Sequence, residues 1–298
     1  MASKPVVMVI GATGTIGFAT ISSLVSEHSS AFDIQAGVRD PKKAEDKFKD
    51  LKGAVKIVQA TMGDKDLPKV FQGVSRLFIV TPPTKDRAEL TIATITSAKL
   101  AGVQSIVVVS ACAADVKLGF MIGEQFKQIE EAIKNLDIPS TIVRLPGFLE
   151  NYYGFRDNII NRSCICMPVD PNKPYTPVAA IDAGKAVALI LINPAQHAGK
   201  TYNIVSNRHT MNEACQEFSR QLGKVVKFVQ ISYEKAKENF LMAGVPDWQV
   251  DGMIHSFRMM DEGSPASNLQ DIEDFHRITN MAPTSLADWI ATNRFAFQ

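Results

Sequence analysis

The chain has 298 residues, which suggests about two lobes around one substantial core. Hydrophobic residues make up 46% and charged residues 21%, ordinary globular values that exclude a disordered or fibrous protein. Lys+Arg is 32 against Asp+Glu 31, and this formal charge of +1 argues against a general electrostatic affinity for nucleic acid or an anionic membrane. The longest apolar run, Ile106 to Ala114, is broken by Ser110 and falls far short of the ~20 residues a membrane span needs. Cys112, Cys164, Cys166 and Cys215 are too few for a disulfide framework. The Cys164-x-Cys166 pair lacks zinc-knuckle spacing and a following histidine, so no metal site is expected. The N-terminus enters an apolar run at Val6 and leaves no room for a signal peptide, so a soluble cytoplasmic protein with reduced thiols is expected, nuclear entry left open.

In chain order, Val6–Ile10 is a β-branched run that predicts a buried strand, and Thr15 to about Glu27 carries helical spacing. Phe32–Val38 reads as a strand. Pro41–Leu51 reads as a charged helix with Asp40 as N-cap and Pro41 at its first position. Val55–Gln59, Leu77–Val80 and Ser105–Val109 are further short strands, with helices at Asp86–Ala101 and Glu124–Asn135 and a sixth strand at Ile138–Val143. This alternation predicts right-handed βαβ units, hence an α/β fold with a doubly wound parallel (Rossmann) sheet covered on both faces. From Leu145 prolines punctuate a stretch without long helices, Tyr175 and the two cysteines among them. Val178–Ile192 returns to helical pattern, Tyr202–Val205 reads as another strand, and from Met211 the chain is mostly amphipathic helix, broken near Gly244-Val245-Pro246 and Ser264-Pro265. The expected organisation is a nucleotide-binding lobe over 1–147, to which 178–206 returns. A smaller, mostly helical lobe takes 148–177 and 207–298.

Gly11, Ala12, Thr13, Gly14, Thr15, Ile16 and Gly17 lie between the first strand and the first helix. In that context Gly11 permits a tight turn, Gly14 lets the backbone approach a pyrophosphate, and Gly17 lets helix and strand pack closely. The free amides of the helix start then face phosphate. A structural turn is the plainer alternative for a glycine triplet taken alone. The second strand ends at Val38, and Arg39 stands where an NAD-specific site carries a carboxylate. A guanidinium there suits a 2′-phosphate, and Lys43, one helical turn on, reaches toward the same group. The expected cofactor is NADP(H), the competing reading being a solvated basic face.

Together the Gly11–Gly17 loop, Val38-Arg39-Asp40-Pro41, Met62-Gly63-Asp64, Ile79-Val80-Thr81-Pro82 and the run Arg144 to Asn151 resemble the NmrA-like branch of the atypical short-chain dehydrogenase/reductases. The resemblance covers essentially the whole chain, and the Asp288-Trp289 to Phe297 ending is similar to that of NADP-sensing NmrA-like proteins of animals. It implies a cofactor cleft between the lobes, with Gly63 and Asp64 by the adenine, Thr81 and Pro82 along the cofactor, and Phe148 and Asn151 bordering the nicotinamide. Asp64 has a bland alternative as a turn residue. The wider superfamily uses a Tyr-x-x-x-Lys pair on the helix before the sixth strand. Here the Lys position falls on Phe126 and the Tyr position on Ile122, with Lys127 one register off. The literal Tyr-x-x-x-Lys at Tyr233 to Lys237 lies in the second lobe and reads as a chance match. Ser110 and Cys112 are candidates to line the nicotinamide pocket, with packing as the alternative for Cys112. The five histidines sit singly and read as surface or capped residues. No catalytic residue is assigned.

Two functions follow from the resemblance. One is an NADPH-dependent oxidoreductase without a tyrosine acid, acting on a quinone-like or other electrophilic small-molecule acceptor that takes its proton from water. The other is a non-catalytic NADP(H) sensor that signals to a regulatory protein partner. The first is the expected reading, with the second as its alternative, and no oligomeric state follows from the sequence. In either, the loop 111–119 and Phe148–Asn151 are expected to order around the cofactor.

Overall fold

In a computed structural model the structure describes residues 4–115 and 121–298, so positions 116–119 of the loop expected to order lie outside the described residues. The first half is a regular alternation: β1 (Val6–Ile10), α1 (Thr15–His28), β2 (Asp33–Val38), α2 (Pro41–Glu45), β3 (Val55–Gln59), α3 (Leu67–Val70), β4 (Val74–Ile79), α4 (Arg87–Leu100), β5 (Ser105–Ala111), α5 (Met121–Lys134) and β6 (Ser140–Leu145). The chain then forms a 3-10 turn (Leu149–Phe155), α6 (Arg156–Arg162), β7 (Cys164–Met167), α7 (Ala180–Ile192), α8 (Pro194–His197) and β8 (Thr201–Asn203). It ends with α9 (Met211–Leu222), β9 (Lys227–Gln230), α10 (Tyr233–Met242), α11 (Asp247–Glu262), α12 (Asp274–Thr279) and α13 (Leu286–Asn293).

Seven strands form one parallel sheet in the order β3-β2-β1-β4-β5-β6-β8, the doubly wound arrangement expected, with its switch point between β1 and β4. Successive strand residues serve opposite faces. Val7 and Val9 of β1, with Val107 and Val109 of β5, pack under α1 and α7, whereas Met8, Ile10, Ile106 and Val108 pack under α4 and α5. A third apolar core, built on Tyr152, Ile165, Phe218, Trp289 and Phe297, holds the elements outside the sheet.

Several elements differ from expectation. The helix over Pro41–Leu51 stops at Glu45 and resumes only as a 3-10 turn at Lys49–Leu51. Asp40 caps it as expected, accepting from the Lys43 amide at 3.2 Å. The strand placed at Tyr202–Val205 is Thr201–Asn203. The proline-punctuated stretch holds α6 and β7, and β9 interrupts the run read as helix; β7 and β9 pair in parallel as a second, two-stranded sheet. Both are four-residue strands joined only by long-range pairing, and local periodicity carries little trace of such pairs. Among the described residues no helix is long and apolar enough to cross a membrane.

α1 and α7 pack closely against each other over the sheet. A Cβ on Gly184 would lie 2.6 Å from the Ala19 carbonyl carbon, a backbone atom unable to step aside. Gly184→Ala is therefore expected to destabilise the chain by roughly 1–3 kcal/mol, the scale of forced overpacking, read as a lowered midpoint in denaturant unfolding.

Candidate functional site

The sequence-derived cofactor residues sit along one edge of the sheet. Gly11 to Gly17 follow β1, Arg39 and Lys43 follow β2, Gly63 and Asp64 follow β3, and Thr81 and Pro82 follow β4. These are neighbouring strands, so their carboxyl ends form a continuous rim at the switch point. Gly11 has φ +76°, and a Cβ there would lie 3.0 Å from the Val80 Cβ. A Cβ on Gly17 would lie 2.4 Å from the Gly11 carbonyl oxygen, so only glycine allows α1 to start this near the strand. Gly14 is the N-cap of α1 and offers no side-chain cap, while Thr13, Gly14 and Thr15 are exposed and Ile16 is buried. The first-turn amides thus lack a side-chain cap at the positive end of the helix dipole.

Arg39 is exposed, and among the described residues no acidic side chain pairs with it. Lys43 instead lies 3.8 Å from Asp40. Gly63 has φ +76° and donates its amide to Thr94 Oγ1 at 3.2 Å. Asp64 accepts from the Asp66 amide at 2.9 Å, which is the turn role weighed as its plainer alternative. The Pro82 carbonyl accepts from Arg87 Nε at 2.8 Å, which braces the Thr81–Pro82 bend against α4.

Phe148 and Asn151 lie past β6, two strands further along the same edge, on the wall of a cleft of about 730 Å³. The cleft opens at the ends of β5 and β6, where Ala111, Cys112 and Leu145 to Phe148 form its lip. Its opposite wall comes from Phe240 of α10 and from Met253, Phe257, Met259 and Met260 of α11. The lining is aromatic and thioether-rich, and its carboxylate, Glu150, is engaged: it accepts from the Ala180 amide at 3.1 Å and from Trp289 Nε1 at 3.2 Å. Sequence reasoning missed Tyr152, Tyr175 and His209. The Tyr152 and Tyr175 oxygens are 2.6 Å apart, and Tyr152 meets His209 Nε2 at 2.8 Å. His209 is buried, not the surface residue expected, because an antiparallel bridge pairs it with Tyr175. That contact spans segments far apart in the chain, and neither segment signals it locally.

The model of the NmrA-like family matches residues 3–288. The chain belongs to the NmrA-like family. It is 27% identical to an NAD(P)H azoreductase of Xenophilus azovorans, over 98% of this chain and 99% of that protein. The fold matches an NADPH-dependent quinone oxidoreductase of Escherichia coli solved with NADPH, at TM-score 0.81 and 24% identity over 97% of this chain and 99% of that one. It also matches Nmra, a negative transcriptional regulator, at TM-score 0.80 and 16% identity over 97% of this chain and 95% of that one.

In this NmrA-like chain the two α5 positions counted for the Tyr-x-x-x-Lys pair hold packing residues. Ile122 meets α11, its Cδ1 standing 2.4 Å from where a Cβ on Gly252 would be. Phe126 is buried under the Arg87 guanidinium, 4.7 Å from the ring centroid. Tyr233 donates its hydroxyl to Asp261, and Lys237 pairs with Asp251 at 2.8 Å; neither lines the large cleft. Cys112 does line it, whereas Ser110 is buried and donates to Glu130 Oε1 at 2.6 Å. The same carboxylate holds Arg144 by two bonds, from Nε at 2.7 Å and from Nη2 at 2.6 Å. Among the described residues no group of His, Cys, Asp or Glu is arranged to hold a metal ion. Glu130→Ala takes this carboxylate from a buried guanidinium and is expected to cost about 3–5 kcal/mol of stability, measured by denaturant unfolding against the parent chain.

Proposed function

We propose that the chain is an NADPH-dependent oxidoreductase whose acceptor is a flat, quinone-like or similarly electrophilic aromatic molecule. The observation that carries this reading is the position of the apolar cleft: it begins at Phe148 and Asn151, beside the rim of cofactor residues, and is large enough for a bicyclic or tricyclic ring system. Bound at that rim, NADPH supplies hydride. Gly11 to Gly17 and the open amides of α1 hold the pyrophosphate, Arg39 binds the 2′-phosphate, and Gly63, Asp64, Thr81 and Pro82 flank the remainder. Lys43, tied to Asp40, assists only by its charge. The aromatic and methionine walls exclude water and stack the acceptor, so that positioning carries most of the rate. A quinone reduced in this way takes its proton from water and leaves as the hydroquinone, and the absence of a tyrosine acid on α5 is no obstacle.

A second reading has its own support. With Ile122 and Phe126 in the acid positions, and a transcriptional regulator sharing the fold, NADP(H) occupancy read by a protein partner requires no chemistry at all.

The deciding experiment is NADPH oxidation against a panel of quinones and azo or triarylmethane dyes, with Arg39→Ala alongside. Turnover that falls in the variant is the expected result, whereas cofactor binding without turnover across the panel sinks the enzyme reading in favour of the sensor. Arg39→Ala is expected to weaken NADPH binding relative to NADH by roughly 1.5–3 kcal/mol, the scale of hydrogen bonds to a charged group; equal wild-type affinities for the two cofactors would remove that assignment. Tyr233→Phe and Lys237→Ala are expected to change turnover by no more than about twofold, as substitutions outside the cleft do. A hundredfold loss with intact folding would make that pair the acid.

A further inference from the structure

The hydroxyl groups lining the cleft share one property: each spends its hydrogen on the protein. Ser256 donates to the Gly252 carbonyl at 2.9 Å, Ser267 to the Met259 carbonyl at 3.0 Å, and Thr176 to the Ser267 carbonyl at 3.2 Å. The two tyrosines follow from the buried chain behind them. Asn207 places Oδ1, an atom that only accepts, 2.6 Å from His209 Nδ1, so Nδ1 carries the ring hydrogen. Burial outweighs the nearby Glu213 and lowers the His209 pKa to about 4, so the ring is neutral and Nε2 is a bare acceptor. Tyr152 therefore gives its hydrogen to Nε2 at 2.8 Å. The 2.6 Å contact between the tyrosine oxygens then holds the Tyr175 hydrogen. Tyr152 is buried, whereas Tyr175 is half-buried on the cleft wall, and among the described residues no group besides Tyr152 hydrogen-bonds its oxygen.

We propose that Tyr175 is a specificity-determining residue of this cleft, accepting a hydrogen bond from an N–H or O–H group on the bound aromatic molecule, with Tyr152, His209 and Asn207 as positioning residues that fix its polarity. The ligand class is thus an aromatic acceptor bearing an amino or hydroxyl substituent. This inference rests on reading the cleft as the acceptor site.

The test uses menadione and its isostere in which an amino group replaces the methyl, comparing binding to the full chain by titration. Tyr175→Phe keeps the ring and removes the acceptor. The preference of the wild type for the amino compound is expected to shrink about fivefold in Tyr175→Phe, the scale of one neutral hydrogen bond. Asn207→Asp, whose carboxylate only accepts, is expected to keep that preference in mildly alkaline buffer, where the imidazole stays neutral. Long-range nitrogen–proton NMR correlations of wild-type His209 are expected to show the hydrogen on Nδ1, a measurement that needs no variant. An unchanged preference in Tyr175→Phe, its loss in Asn207→Asp, or a hydrogen on Nε2 overturns the proposal. Selective binding without NADPH turnover defeats the oxidoreductase reading alone, turnover without selectivity defeats this inference alone, and failure of both quinones to bind defeats both.

Discussion

A carboxylate and a guanidinium meet in the interior of this protein, and the geometry of the site depends on them. Glu130 of α5 and Arg144 of β6 are each less than a tenth exposed, and removing two charges from water is tolerable only with near-ideal partners. Arg144 supplies a two-pronged fork and Ser110 of β5 supplies a third hydrogen bond, so one buried carboxylate joins α5, β5 and β6. Phe126 is four residues before Glu130, on the same helix face, and the cleft lip begins at Leu145, directly after Arg144. One ion pair therefore ties the helix that carries Ile122 and Phe126 to the strand that leads into the cleft lip.

The two halves of the site divide their physical chemistry sharply. Along β1 to β4 the edge is open backbone and unpaired cation: an uncapped α1 and an exposed Arg39. By contrast α9 is closed by a full capping box between Thr210 and Glu213, and α10 and α13 by serine caps. At the ends of β5 and β6 the surface becomes aromatic and thioether, and the carboxylate of Glu150 is absorbed by an amide and an indole. A charged, extended nucleotide and an uncharged flat ring system are complementary to these two surfaces in turn.

Much of this was legible in the sequence wherever cause and effect are close along the chain. Six of the seven sheet strands lie on short apolar runs, β8 (Thr-Tyr-Asn) being the exception, and the glycine loop, the Asp40 cap and the place of Arg39 follow from rules only a few residues long. The apolar character of Ile122 and Phe126 is plain in the sequence, because it is a matter of residue identity. What escaped depends on distant pairing. β7 and β9 are short and gain their order only from each other, and the Tyr175–His209 bridge brings together two residues that look solitary in their own segments. The methionine wall of α11 reads as ordinary helix amphipathicity until a facing surface shows which stripe is left uncovered.

The path of the chain adds a constraint of a different kind. After β6 it leaves the sheet for the 3-10 turn, α6 and β7, comes back to lay α7 on α1 and β8 beside β6, then departs again through α9 to α11 before α12 settles on α7. Phe148 and Val178 are bridged where the first departure and the return pass each other. The cleft walls are thus stitched to the sheet by several covalent crossings. Neither part is one contiguous stretch of chain, so exchanging either with a relative means cutting and rejoining the chain at several of these crossings.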